Sequence, residues 1–148
     1  MRHEPLLRER AIRLLARREH SRAELARKLK AHAQPGDDLD ALLDDLSRRK
    51  LLSDERYAES RSHALSRKFG AARIAHELRA KGVSDELAGQ AEKAARATEV
   101  ERARTVWRRK FQAGPKTREE RAQQMRFLQS RGFSFDVIRA VLGGADDD

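Results

Sequence analysis

Apolar residues recur along this chain at intervals of three and four, the spacing of one face of an α-helix. In the first predicted helix, which runs from about Pro5 to Arg18, Leu7, Ala11, Leu14 and Leu15 fall on one side. Pro5 suits the first turn of a helix, where its missing N–H group is not needed. The same spacing returns in later segments, without the alternation typical of strands. The pattern therefore predicts an all-α protein.

Short polar motifs indicate where several of these helices begin and end. A Ser or Thr followed three residues later by Glu, the capping box, occurs at residues 21–24, 98–101 and 117–120. In this motif the hydroxyl oxygen accepts from the third amide of the helix and the Glu carboxylate reaches back to the capping residue. A base followed by Gly, at 81–82 and 131–132, predicts helix ends, because Gly tolerates the left-handed conformation found there.

The predicted helices form groups of three that repeat with a period of 48 to 50 residues. Overlaying the groups pairs Ser21 with Gly70, Leu25 with Ile74, Leu29 with Leu78 and Gly82 with Gly132. We expect one unit at residues 1–52, a second at 53–97, a third at 98–144 and an acidic, disordered tail at 145–148. The predicted fold class is all-α, with three tandem three-helix repeats forming an elongated, curved, solenoid-like array.

The composition agrees with a thin array. Apolar residues make up 39% of the 148 residues, aromatic residues only 5% and charged residues 39%, which is too little apolar material for a deep core. Cysteine is absent, so disulfides, thiolate metal sites and thiol catalysis are excluded. Because no apolar run is long enough for a signal peptide or a membrane span, we expect a soluble, cytoplasmic protein with no membrane partner.

The net charge of +9 and a pI near 10.6 favour an acidic partner, above all nucleic acid or a protein bound to it. Helix two and its turn resemble the start of a helix-turn-helix, whose third helix would enter the major groove. That helix carries Asp37, Asp38, Asp40, Asp44 and Asp45. Five carboxylates would repel phosphates, so this unit is not expected to read DNA in that way.

Candidate partner-binding bases lie instead on the first and second helices of units one and two. They are Arg17, Arg18, Arg22, Arg27, Lys28, Arg67, Lys68, Arg73, Arg79 and Lys81. The alternative for each base is a solvated helix face supported by pairs such as Glu24–Lys28, since surface charges usually contribute little. As a group, the ten bases predict a basic contact surface.

The chain shows no pattern typical of a catalytic, cofactor or metal site. The five His residues lack the spacing of a metal site, and His20 occupies the repeat position of Phe69, which favours a packing role. The phosphate-binding glycine motifs are absent. Tyr57 and Trp107 could stack on bases, but burial between helices is more usual for such residues. We therefore expect no enzyme activity, no metal and no cofactor.

Three ordered segments resemble one protein family, the RecX regulatory proteins. Residues 14–25, LLARREHSRAEL, resemble the signature of the first RecX repeat, and residues 52–58, LSDERYA, resemble that of the second. Residues 74–82 fit the continuation of the second repeat, and residues 127–134, FLQSRGFS, resemble the end of the third. Together the resemblance covers nearly the whole chain.

The resemblance implies a regulator of the RecA recombinase built of tandem three-helix repeats. Members of this family bind the RecA filament on single-stranded DNA and restrain its ATPase, strand-exchange and co-protease activities. The family brings no catalytic residues, and its binding is attributed to basic faces, which here map onto bases such as Arg17, Arg67 and Lys81. We expect a monomer that contacts single-stranded DNA directly or through RecA. The alternative is a stand-alone DNA-binding protein that makes sequence-independent phosphate contacts.

Overall fold

The computed structural model describes residues 6–143, which form nine α-helices and, within that range, no β-strand. The helices are α1 (Leu7–Arg17), α2 (Arg22–Lys30), α3 (Leu39–Arg48), α4 (Asp54–Leu65), α5 (Ala71–Ala80), α6 (Asp85–Arg96), α7 (Glu99–Lys110), α8 (Arg118–Ser130) and α9 (Phe135–Leu142). The all-α prediction is confirmed. Two expectations, for Pro5 and for the acidic tail, lie outside the described residues.

Most of these helices begin at a side chain that caps them. The capping oxygens of Ser21, Asp38, Ser53, Ser84, Thr117 and Ser134 each accept a hydrogen bond from the backbone N–H three residues later. Such a bond satisfies one of the four amides that lack a partner in the first turn. The predicted box at Thr98 is wrong, because the Thr98 hydroxyl instead donates to the carbonyl of Ala95.

The helices pack into three separate cores, each within one group of three helices. Buried residues of the first core are Ala11, Leu25, Leu29, Leu43, Leu46 and Leu52. Those of the second are Tyr57, Ala58, Leu65, Ile74, Ala75, Leu78, Val83 and Ala88, and those of the third are Ala103, Val106, Leu128, Phe133, Val137 and Ile138. We call α1–α3, α4–α6 and α7–α9 units one, two and three.

The two largest aromatic side chains pack as expected. Tyr57 is 3% exposed within the second core. Trp107 packs against the third core and donates its indole N–H to the side-chain oxygen of Gln124 at 2.8 Å. His20, only 1% exposed, is buried as its repeat position suggested.

Units one and two meet where the N-terminus of α2 contacts the C-terminus of α5. The Ser21 hydroxyl donates to the Lys81 carbonyl at 2.6 Å. The first N–H of α2, on Arg22, donates to the carboxylate of Asp54 at 2.7 Å. Asp54 is the first residue of α4, so unit two supplies a cap to a helix of unit one.

Units two and three meet through the same arrangement. The Gly70 N–H donates to the Arg131 carbonyl at 2.8 Å, next to the N-terminus of α5 and the C-terminus of α8. The first N–H of α5, on Ala71, donates to the carboxylate of Glu99 at 2.6 Å. Glu99 opens α7 as Asp54 opens α4. The repeat is therefore a repeat of junctions as well as of helices.

Two matched glycines allow this close approach. Gly82 and Gly132 have φ angles of +84° and +85°. Residues other than glycine rarely adopt such positive φ angles. A Cβ on Gly82 would lie 2.4 Å from the Cβ of Ala23, and one on Gly132 would lie 2.4 Å from the Cβ of Arg73. Each glycine ends the middle helix of one unit while lying against the middle helix of the unit before it. The pairing of Gly82 with Gly132 in the sequence reflects this shared contact.

Candidate functional site

The fold divides the ten predicted contact bases into two sets. Five are engaged internally: Arg18 with Glu24, Arg22 with Asp44, Lys28 with His20, Arg73 with Phe69 and Glu77, and Arg79 with Asp85. The side chains of Arg17, Arg27, Arg67, Lys68 and Lys81 form no hydrogen bond or ion pair with another residue in the described part of the chain. This second set is available to an external anion.

The acidic face of α3 is paired with bases of its own unit. Asp44 contacts Arg22 at 2.8 Å, and Asp45 contacts Arg8 at 2.7 Å. Arg48 and Arg49 also contact Asp45, at 3.2 and 3.0 Å. The hydrogen bond from Arg8 is the main cause that lowers the pKa of Asp45 to about 2. The carboxylates of α3 therefore neutralise part of the positive charge of unit one.

A small cleft lies over the junction of units one and two, and we call it the first junction cleft. It has a volume of about 360 Å³ and is lined by Arg18, Glu19, Glu24, Tyr57, Ser60, Arg61, Ala64 and Lys81. Three bases face two acids here, and the strongest pair is internal: two nitrogens of Arg18 donate to the two carboxylate oxygens of Glu24 at 3.1 and 2.6 Å. Such a bidentate pair is among the stronger side-chain interactions.

Burial and charge compete at Glu24 and His20. Burial alone would raise the pKa of Glu24, but the hydrogen bonds and charge of Arg18 lower it to about 2. The pKa of Arg18 is raised, chiefly by its bond to Glu24. Burial is the main cause that lowers the pKa of His20, whose ring nitrogens lie 3.0 Å from the Arg18 carbonyl and 3.0 Å from the Lys28 ammonium. Near neutral pH the His20 ring is uncharged and accepts a hydrogen bond from Lys28.

The corresponding cleft between units two and three has a different chemistry, and we call it the second junction cleft. Its volume is about 380 Å³, and it is lined by Arg67, Lys68, Val106, Arg109, Lys110, Phe127 and Arg131. Both clefts are lined by residues that follow one unit's first helix, by the first helix of the next unit and by the end of that unit's middle helix. The first cleft is also lined by Glu24 of α2. The second holds five bases and no acid among its lining residues.

Aromatic rings hold three of the bases around this junction. The Arg131 guanidinium lies 5.9 Å from the ring centre of Phe69 and 5.0 Å from that of Phe127. Arg73 lies 4.4 Å from the Phe69 ring, and the Lys110 ammonium lies 5.0 Å from the Phe127 ring. All four distances fall within the range of an attractive cation–π contact. We call these five residues the cation–aromatic cluster.

Unit one carries a further basic cleft of about 370 Å³ between α1 and α2. Its polar lining residues are Arg10, Arg13, Arg17, Lys28 and His32. Two predicted bases, Arg17 and Lys28, therefore lie in this cleft, whereas Arg18 and Lys81 line the first junction cleft and Arg67 and Lys68 line the second. Six of the ten predicted bases are thus spread over three clefts, whereas Arg22, Arg27, Arg73 and Arg79 line none of the three.

Sequence reasoning missed Arg109, Lys110 and Arg131, which join Arg67 and Lys68 in the second junction cleft. One available signal was the run of three bases at 108–110, followed directly by Phe111. A run of bases next to an aromatic residue is typical of nucleic-acid-binding surfaces. The other missed signal was the base preceding Gly132, which was used only to place a helix end.

Other features of the described residues point to no further chemistry. A wider cleft of about 740 Å³ between α4 and α6 carries mixed charge, with Glu55, Glu59 and Glu86 opposite Arg102. Arg102 is held by three backbone carbonyls, those of Ser66, Phe69 and Ala95. Residues 6–143 contain no group of three or more His, Asp or Glu side chains that could hold a metal ion. Nor does any helix in that range have the length and apolar character to cross a membrane.

An array of helical units with repeated junctions defines a class of protein, the helical-repeat proteins. Family models for the first, second and third three-helix domains of RecX match residues 8–46, 53–91 and 97–142. The regulatory protein RecX of Leptothrix cholodnii is 51% identical over 96% of this chain and 90% of its own length. That of Ralstonia nicotianae is 44% identical over 95% of this chain and 88% of its own. The chain belongs to the RecX family of regulatory proteins.

Solved structures agree with this fold. The crystal structure of RecX from Lactobacillus salivarius superposes with a TM-score of 0.79 over 95% of this chain and 94% of that one, at 23% identity. A second crystal structure, of a regulatory protein RecX, superposes with a TM-score of 0.77 over 91% of this chain and 70% of that one, at 21% identity. At such low identity the likeness concerns the fold alone.

Proposed function

We propose that this chain is a non-enzymatic regulator that binds the RecA recombinase filament on single-stranded DNA. In this role it restrains the ATPase, strand-exchange and co-protease activities of RecA, within homologous recombination, DNA repair and the SOS response. The observation that carries the proposal is the second junction cleft, where five bases lie together without an acidic lining residue. A filament that displays DNA phosphates offers the negative charge that such a cleft lacks.

The unpaired bases are the part of the predicted set that we expect the filament to contact first. Arg17, Arg27, Arg67, Lys68 and Lys81 can bind an anion without giving up an internal partner. In contrast, Arg18 would have to leave the buried carboxylate of Glu24. Leaving a buried carboxylate without its partner costs more than a surface contact returns. The protein acts as a cytoplasmic monomer that needs no cofactor.

A stand-alone DNA-binding protein is the alternative, and the same all-basic cleft favours it. Phosphate contacts alone would give sequence-independent binding that weakens steeply as salt rises. Two measurements at equal salt separate the two functions: the affinity for bare single-stranded DNA and the inhibition of the DNA-dependent ATPase of RecA. Tight, salt-sensitive DNA binding combined with an unaffected ATPase would exclude the regulator.

A pair of single-charge variants sharpens this experiment. Lys68→Gln removes an unpaired base of the second junction cleft, whereas Lys93→Gln removes an exposed base of α6 outside the basic clefts. For the regulator, we expect Lys68→Gln to raise the concentration needed for half-inhibition of the ATPase about threefold or more, as loss of a phosphate contact would. Lys93→Gln should change it less than twofold. Equal effects of both variants would show that net charge, and not this surface, acts on RecA.

A further inference from the structure

The two junction clefts share a position in the fold but differ in charge. Glu19 and Lys68 occupy equivalent positions, because each lies two residues before the residue that caps a middle helix, Ser21 or Gly70. An acid in the first cleft thus corresponds to a base in the second. The first cleft also holds Glu24, whereas the second has no acid among its lining residues. The second cleft therefore holds positive charge that no carboxylate among its lining residues balances.

The bases of the second junction cleft are available to bind an anion, and aromatic rings position one of them. Arg67, Lys68 and Arg109 are exposed, and their side chains form no hydrogen bond or ion pair within residues 6–143. Arg131 lies within 6 Å of two ring centres, Phe69 and Phe127. A guanidinium in contact with the face of a ring leaves its planar fork of N–H groups free to bind a planar or tetrahedral oxyanion. The two cation–π contacts therefore restrict the position of Arg131 without occupying its hydrogen-bond donors.

The spread of the charge selects the type of anion. Five bases come from three segments, the end of α4, the end of α7 and the end of α8. One carboxylate carries a single negative charge and one free phosphate at most about two, so either would leave most of the five positive charges to repel one another. A chain with a negative charge at every step can engage all three segments. The phosphodiester backbone of a nucleic acid has this regular charge.

We propose that the second junction cleft is a binding site for the phosphodiester backbone, with Arg109 and Arg131 among its direct phosphate contacts. The inference deepens the function proposed above and rests on it, because it assigns contact with nucleic acid to one junction of the repeat. The first junction cleft, with its internal Arg18–Glu24 pair, serves the packing of the units. The two junctions are therefore structurally alike and functionally different.

The test measures the binding of fluorescein-labelled oligothymidylate to the full chain by fluorescence anisotropy, without RecA and over a series of salt concentrations. Arg109→Gln removes an exposed base of the second junction cleft, and Arg61→Gln removes an exposed base of the first. We expect Arg109→Gln to weaken binding about three- to tenfold and to reduce the salt slope by about one. Arg61→Gln should weaken it less than twofold. Equal losses for both variants would overturn the assignment.

A third variant tests the guanidinium of Arg131. Arg131→Lys keeps the charge but loses the planar fork, and we expect about a two- to fivefold loss of affinity at an unchanged melting temperature. A labelled duplex of the same length shows whether the phosphates of one strand suffice or those of a double helix bind better. Oligoglutamate serves as a competitor. If it displaces the oligonucleotide at a lower charge concentration than unlabelled oligothymidylate does, the cleft binds an acidic peptide and the proposal fails.

The same proteins, assayed for inhibition of the RecA ATPase, separate this proposal from the function proposed above. If Arg109→Gln selectively weakens DNA binding while the wild-type protein leaves the RecA ATPase unaffected, the phosphate site is supported and the regulatory function is rejected. Inhibition by the wild type, together with equal DNA binding by the Arg109→Gln and Arg61→Gln variants, would retain the regulator and reject the phosphate site.

Discussion

Glu24 shows how one buried carboxylate can hold a junction together. It is 7% exposed and accepts two hydrogen bonds from Arg18, which extends from the end of α1. A buried charge is tolerated when it is paired and hydrogen-bonded, and here the bidentate geometry meets both conditions. The pair therefore links the first and second helices of unit one where unit two begins.

The low pKa of Glu24 predicts a pH dependence of stability. Its pKa is about 2 in the folded chain against 4.5 ordinarily. The pair therefore stabilises the fold fully above pH ~4.5, and this contribution is lost as the pH falls toward 2. We expect Glu24→Gln to lower the free energy of unfolding by about 2–3 kcal/mol at neutral pH, and by about half that or less at pH ~3.

Urea denaturation, followed by circular dichroism at several pH values, measures this difference. Glu59→Gln is the control, since Glu59 is exposed and has no ion pair within residues 6–143. It should change the free energy of unfolding by less than about 0.5 kcal/mol at every pH. A difference between wild type and Glu24→Gln that stays constant from neutral pH to pH ~3 would contradict the role given to Arg18.

At the scale of the residue, the sequence predicted where a helix cap lies better than it predicted which side chains form hydrogen bonds with each other. Ser21 was correctly identified as a helix cap, and its oxygen accepts from the Glu24 N–H at 3.1 Å. The carboxylate of Glu24, however, turns to Arg18 and not back to the cap. The capping-box pattern is local, whereas the position of Arg18 depends on the turn between two helices. A residue outside the motif that competes for the same carboxylate, as Arg18 does here, is recognised only in the folded structure.

At the scale of the helix, the junctions depend on capping between units. The N-terminal amides of α2 and α5 donate to Asp54 and Glu99, the first residues of α4 and α7. A carboxylate at a helix N-terminus is also favoured by the helix dipole. Gly70 caps α5 without a side chain, so the bond from the Ala71 N–H to Glu99 is the side-chain hydrogen bond that the first turn of α5 receives. Each junction thus completes a helix of the preceding unit.

Gly132→Ala should disrupt the second junction. A φ of +85° disfavours alanine by about 1–2 kcal/mol, and its Cβ would lie 2.4 Å from the Cβ of Arg73. We therefore expect a total loss of about 3 kcal/mol or more in the free energy of unfolding, as overpacking adds to the backbone cost. The midpoint of urea denaturation measures it.

The chain contains a matched control for this substitution. Gly36 has a φ of +97°, but a Cβ there would meet nothing within 4 Å. Gly36→Ala should therefore show only the backbone cost of about 1–2 kcal/mol. If both variants lose the same stability, the close approach of Gly132 to α5 is not under steric constraint.

The helical scale is also where sequence reasoning was most successful. Helix type, the equivalence of Gly82 with Gly132 and that of Ser21 with Gly70 all follow from periodicity and turn chemistry. The capping carboxylates Asp54 and Glu99 could not be matched in this way, because they are 45 residues apart while the other pairs are 49 to 50 apart. Because the loops of the units differ in length, equivalent residues are not always the same number of residues apart. An overlay that assumes a constant period therefore misses this pair.

At the scale of the whole molecule, residues 6–143 form three small cores in place of one. Each cluster of buried residues lies within one unit, and the hydrogen bonds at the junctions join adjacent units. In such arrays stability is the sum of unit and interface contributions. Damage to one terminal unit should therefore spread mainly to its neighbour.

Leu128→Ala tests this behaviour. Leu128 is fully buried in the third core, and its truncation should destabilise unit three by about 2–5 kcal/mol. We expect amide hydrogen exchange, measured by mass spectrometry, to accelerate strongly in α7–α9 and to stay nearly unchanged in α1–α3. Leu29→Ala, in the first core, should give the reverse pattern. A uniform loss of protection across all described helices would show that the chain unfolds as a single unit.

The sequence predicted that the molecule has a basic surface, but it did not predict which bases form that surface. The positive first and second helices suggested a basic surface, yet half of the named bases neutralise internal acids or join internal contacts. The second junction cleft draws its bases from two different units, and no single segment of sequence contains them. Long-range assembly of this kind cannot be obtained from residue spacing.

The repeated junction also has a mechanical consequence. The first N–H of α2 donates to Asp54 and that of α5 donates to Glu99, so neighbouring units cannot rotate against each other without breaking a hydrogen bond to a carboxylate. Hydrogen bonds to a charged group are among the stronger ones. We therefore expect the array to resist twisting, with the basic cleft of unit one and the second junction cleft kept at a fixed distance from each other.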